Sequence, residues 1–155
     1  MSSKQLEALG EPAIRVAGLR IWVHGRAHPE AIDYWDGNWL TITAHCAEAG
    51  GSVRVHGAIL DLISFHGWAK ELTQLYETLK GEAVLSSHEP NLEARIQSTD
   101  RSGHLTLSVN ITPDHMTQSH SFEFELDQTY LPALAEQCRA ILHALPIRDG
   151  ARRGV

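Results

Sequence analysis

Between Phe122 and Asp127 apolar and polar residues alternate, with Phe122, Phe124 and Leu126 on one side and Glu123, Glu125 and Asp127 on the other. The period then lengthens, and Leu131, Leu134, Cys138, Ile141, Leu142 and Leu145 recur at helical spacing. A two-residue period followed by one near 3.6 predicts a strand with one buried face leading into a helix that covers a sheet. A second stripe, Phe65, Trp68, Leu72, Leu75, Tyr76 and Leu79, repeats the same steps, each position 66 residues before its counterpart. Asp61 and Asp127 share that offset, each closing a strand. Any core-facing helix tends toward such a stripe. The shared spacing also fits a duplicated βββα plan.

The remaining pattern is rich in strands. Ile14, Val16, Leu19, Ile21 and Val23 predict a strand with a break or bulge at Ala17–Gly18, and further strands are expected over 39–47 and 52–60, joined by a hairpin at Gly50–Gly51. Alternation also marks 82–85, 91–98 and 105–111, and Gly81 follows the first helix as a stop signal. Short turns between neighbouring strands force antiparallel pairing. The fold class expected is α+β: a curved antiparallel sheet of six or seven strands with two amphipathic helices packed on it. Residues 1–12 read as a flexible leader, 13–146 as a single domain, and 147–155, with Arg148, Arg152 and Arg153, as a disordered tail.

Composition narrows function mainly by exclusion. At 155 residues the chain has length for one domain with a real core. A formal charge of −6 argues against a nucleic-acid surface, which needs clustered Lys and Arg to displace phosphate counterions. The two cysteines, Cys46 and Cys138, form neither a Cys-x-x-Cys pair nor a disulfide framework. The first residues lack the apolar core of a secretion signal, and no run approaches the length of a membrane span. The expected location is cytoplasmic, with no membrane contact.

Ten histidines invite a test for metal. A zinc site needs about four converging ligands, often supplied in pairs close in sequence. His24 and His28 lie four apart in a Gly- and Pro-containing loop, while His45 and His56 are expected to face each other across the Gly50–Gly51 hairpin. None of these pairs gains a third ligand by spacing, so no cofactor is predicted and the four remain candidates for an alternative small-ligand or metal-binding role. The chain has no Gly-x-Ser-x-Gly elbow, no reactive-cysteine context and no phosphate-cradling glycine motif, so no catalytic residue is assigned. Two features suit binding instead. Tyr34, Trp35, Asp36 and Trp39 cluster in a loop, where stiff aromatic surface with a polar tip serves recognition or caps the core. Glu123, Glu125 and Asp127 form an acidic ladder, either a solvated sheet face or a docking surface for a basic partner.

Three stretches, YWDGNWLTITAHC, LTQLYETLKGEA and FEFELDQTYLPALAEQCRAI, resemble the WapI-type bacterial immunity proteins. Within them Trp35, Asp36, Gly37, Asn38 and Trp39 match a Trp-Asp-Gly-Asn-Trp turn, and Asp127 to Leu131 match a strand ending in Asp-Gln-Thr-Tyr-Leu. The resemblance implies a small cytoplasmic protein that neutralises a cognate toxin by binding it, with no enzymatic step. A negatively charged binder suits a basic toxin domain. Nothing in the sequence sets the oligomeric state.

Overall fold

The break foreseen at Ala17–Gly18 is a hairpin. In the computed structural model, which describes residues 2–86, 88–100 and 102–150, Ala17 adopts φ 50° and Val16 pairs directly with Leu19. Gly18 fits the turn because a Cβ there would lie 2.2 Å from the Ala47 carbonyl oxygen. The stretch is therefore two strands, β1 (Ile14–Val16) and β2 (Leu19–Arg26). A short helix α1 (Ser3–Glu7) precedes them. After them come β3 (Trp39–Glu48), β4 (Gly51–Asp61), α2 (Leu62–Thr78), β5 (Glu82–Ser86), β6 (Leu92–Ser98), β7 (His104–Ile111), β8 (Ser121–Asp127) and α3 (Tyr130–Ala144).

The α+β class expected from the pattern holds, resolved into two four-stranded antiparallel meanders, β1-β2-β3-β4 and β5-β6-β7-β8. The chain divides there because α2 carries it away from β4, and β5 returns against α2 instead of pairing with β4. Each meander ends in an aspartate and a helix, so the repeated unit is ββββα. Asp61 caps α2 by accepting the Ser64 N–H at 2.7 Å. Leu79, at φ 54°, supplies the left-handed residue that closes α2, a role the sequence suggested for Gly81.

Alternation decides which face is buried. Ile21, Ile42, Ala44 and Val55 point inward from the first sheet, and Ala94, Ile96, Leu107 and Val109 from the second, all 4% exposed or less. The sheets approach each other along β3–β4 and β7–β8, while the paired helices lie against the opposite edges, α2 on β5 and α3 on β1. Phe122 and Phe124 stack at 6.5 Å and pack against this core while remaining half-buried. Their rings sit where Gly51 and Gly18 leave room, since a Cβ at either position would press on them.

Each helix thus guards the first strand of the other meander. Gln137 of α3 accepts the Arg15 N–H of β1 at 2.9 Å, and Glu71 of α2 accepts the Val84 N–H of β5 at 3.3 Å. These bonds occupy edge donors that would otherwise invite strand addition. Gln137 lies 66 residues after Glu71, the same offset that relates the helix stripes.

Candidate functional site

The aromatic loop is short of regular structure but heavily tied down. The Asp33 carboxylate accepts the N–H groups of Trp35 and Asp36 at 3.1 and 2.9 Å, which starts a single 3-10 turn over Asp36–Asn38. Asn38, 1% exposed, donates to the carbonyls of Tyr34 and Arg148 at 2.6 and 2.8 Å and accepts the Arg148 N–H at 2.8 Å. The Arg148 guanidinium reaches the carbonyls of Pro29 and Ala31, both at 2.7 Å, and Arg26 donates to the Gly37 carbonyl at 2.7 Å. Arg148 and Gly150, expected in a disordered tail, are hydrogen-bonded to this loop. Residues 151–155, with Arg152 and Arg153, lie outside the described residues.

This scaffold presents Trp35 to solvent. Its ring is 69% exposed and stands edge-on to Tyr34, centroids 5.0 Å apart. Trp39 is half-buried and lies beside His88, ring centroids 6.3 Å apart. Between the two tryptophans opens a cleft of about 230 Å³, lined also by Ile63, Ser64 and His88. That volume is below the usual range for small-molecule pockets, about 300–1,000 Å³, and matches an inserted side chain better. Sequence reasoning missed Ile63, Ser64, Ser86 and His88 because they reach the cleft from the start of α2 and the end of β5. No local spacing announces such a convergence.

The acidic ladder is as exposed as alternation implied. Glu123, Glu125 and Asp127 project from the outer face of β8, the edge strand of the second sheet. Arg95, two strands away, is already engaged by Glu82 at 2.6 Å and Glu93 at 2.9 Å. Among the described residues no Lys or Arg pairs with Glu123, Glu125 or Asp127. Asp127 instead accepts the Thr129 N–H at 2.8 Å and the Thr129 hydroxyl, and these bonds hold its carboxyl below the ordinary range. His104, paired with Asp100 at 2.7 Å, is pushed the other way, first by that bond and further by Glu125 and Asp127. The Trp cleft meets the second sheet at Ser86 on β5, and the ladder runs along β8 at the opposite edge of that sheet.

The histidines pair differently from the expected pattern. The β3–β4 turn is centred on Ala49–Gly50, both at positive φ, so Glu48 pairs with Gly51 and the register sits one residue earlier than Gly50–Gly51 would place it. His45 therefore opposes Arg54, and His56 opposes Thr43. The Thr43 hydroxyl bridges His24 Nε2 at 2.7 Å and His56 Nδ1 at 2.8 Å, with the two rings 5.5 Å apart. A bulge in β2 at His24 allows this approach. His28 lies in the loop after β2 and His45 in the neighbouring row, so neither joins them. Among the described residues no three of His, Cys, Asp and Glu converge as a metal set. Cys46 and Cys138 are buried, and burial pushes both thiols up to about 12.

These features describe a small two-sheet α+β protein whose distinctive chemistry lies on its surface: a rigid aromatic prominence and a bare acidic edge. Its family is defined by sequence. The model of the immunity protein WapI-like family matches residues 13–146, and the chain belongs to that family. No curated protein and no solved structure matches the chain. No helix among the described residues is long and apolar enough to cross a membrane.

Proposed function

We propose that this chain is a non-enzymatic binding protein that neutralises a basic protein toxin in the cytoplasm. Membership of the immunity family supports the role. The observation that carries the binding mode is Trp35, an exposed indole on a loop whose every turn is already hydrogen-bonded. A recognition group that is ordered before binding loses little entropy on contact, which is what makes such an aromatic a hot spot. Trp35, Tyr34, Asp36 and Trp39 receive an apolar or cationic side chain of the toxin. Glu123, Glu125 and Asp127 steer its basic surface, since opposite potentials raise the association rate more than they deepen affinity.

The test is co-expression with each toxin domain encoded beside the gene. Rescue of growth and co-purification with one of them are expected, both lost in Trp35→Ala. Failure to rescue cells from every adjacent toxin domain would sink the reading.

A further inference from the structure

The net charge of −6 conceals two sheets of opposite sign. Along the outer face of the first, Arg15, Arg20, His45 and Arg54 stand side by side on β1, β2, β3 and β4, each the direct register partner of the next. The row runs the full width of the sheet, about 14 Å. Glu11 of the leader occupies one end, 3.4 Å from Arg15. Arg20 and Arg54 have no carboxylate partner among the described residues. His45 between them is half-buried, with Nε2 on Ser52 Oγ at 2.7 Å and Nδ1 enclosed without a partner. Burial, then Arg20, then Arg54 lower its pKa, so both guanidinium groups act on the same point.

The leader already demonstrates what this face accepts. It crosses the sheet over Trp22, whose Nε1 donates to the Gly10 carbonyl at 3.0 Å, and it leaves a cleft of about 440 Å³ beside Arg20 and His45. A main-chain carbonyl on an indole and a carboxylate on an arginine are polypeptide contacts. A long polyanion fits less well: the cationic row is short, and Glu7 and Glu11 of the leader flank it. Arg20 and Arg54 stand two strand spacings apart, about 10 Å, which a chain extended as polyproline II covers in about three residues, with the first and fourth side chains on the same side.

We infer that the Arg20–His45–Arg54 row is a second interaction surface, which takes an extended acidic polypeptide segment with carboxylates about three residues apart seated on Arg20 and Arg54. It lies on the opposite sheet from the acidic ladder, so an acidic protein and a basic one can be held at once.

The experiment is a backbone-amide NMR titration of the whole chain with a Glu-Ala-Ala-Glu-containing peptide, hexalysine, hexauridylate and inorganic phosphate. The acidic peptide is expected to shift amides of β2, β3 and β4 around Arg20, His45 and Arg54. Arg20→Ala/Arg54→Ala, folded by the same spectrum, weakens it roughly tenfold, as loss of two exposed charge pairs implies. Lys70→Ala/Lys80→Ala, with the same charge change on exposed sites elsewhere, binds as the parent does. Equal binding by both double variants, or no shifts on this face, overturns the proposal. Tighter binding of hexauridylate or phosphate overturns it in favour of a phosphate site. Concentration-dependent self-association lost in Arg20→Ala/Arg54→Ala overturns it in favour of a second copy of the chain.

Discussion

Arg139 of α3 donates to the hydroxyl of Thr73 on α2 at 2.9 Å, and the two residues are 66 positions apart. That is the offset relating the two helix stripes, so a residue here meets its own counterpart. Such self-pairing is what a twofold axis between two helices requires. The reciprocal bonds of Glu71 to β5 and Gln137 to β1 follow from the same relationship. The molecule contains two ββββα units in succession, each with its helix packed on the first strand of the other.

Exchange makes each half dependent on the other. A fragment comprising residues 1–80 keeps β1 without α3 and α2 without β5. It is expected to show no cooperative unfolding as a monomer by circular dichroism, while mixing with the fragment 81–155 restores the native spectrum. A cooperatively folded 1–80 monomer would contradict the exchange. Leu72, fully buried on α2, gives the energetic counterpart: Leu72→Ala should cost about 2–5 kcal/mol in denaturant unfolding.

The paired aspartates at the strand ends separate repetition from equivalence. Asp61 is 9% exposed and caps α2 through the Ser64 N–H, so Asp61→Ala should cost about 1 kcal/mol. Asp127 is exposed and, among the described residues, its hydrogen bonds stay within its own turn, to Thr129. Asp127→Ala is expected to leave the denaturant midpoint close to that of the parent chain. Equal losses at the two sites would show that both act as helix caps.

The histidines should titrate in opposite directions from the free imidazole value of 6.5. His104 is raised by Asp100, so its contribution is fully present below 6.5 and fades as pH rises through its folded value. His24 is lowered by burial and then by His56, and His45 by burial, Arg20 and Arg54. Their contributions are present above 6.5 and fade as pH falls through their folded values. Proton NMR of the ring resonances should place His104 above 6.5 and His24 and His45 below it. Asp100→Asn should bring His104 down; an unmoved His104 would remove the pairing as the cause.

Both thiols should be silent in the native protein. With Cys46 and Cys138 buried and shifted to about 12, a thiol reagent at pH 8 is expected to modify neither until denaturant is added. Fast labelling of one cysteine in the native state would mean that its helix or sheet opens readily.

Much of this architecture is legible as period. Alternation gave the facing of Phe124, Glu125 and Leu126, and the helix stripes gave the offset that the Thr73–Arg139 pair realises in space. What period cannot convey is where the chain reverses. Ala17–Gly18 and Ala49–Gly50 are tight turns built around an alanine with positive φ, a conformation that alanine does not advertise. Missing the first hid a strand, and shifting the second by one residue paired His45 with the wrong partner. At the candidate site the aromatic residues were readable, but their support by Asn38 and Arg148 spans 110 residues of chain, and nothing local encodes it.

Hydrogen exchange of the chain, alone and mixed with the toxin domain it rescues, tests whether Trp35 and the β8 edge form the interface. As an edge strand, β8 leaves alternate N–H groups open to exchange, and the loop amides near Trp35 are close to the surface. Slowed exchange is expected over residues 30–39 and 121–127 on complex formation, and over neither segment when Trp35→Ala, which loses the complex, is used. Protection confined to other surfaces, with both of these segments unchanged, would contradict it.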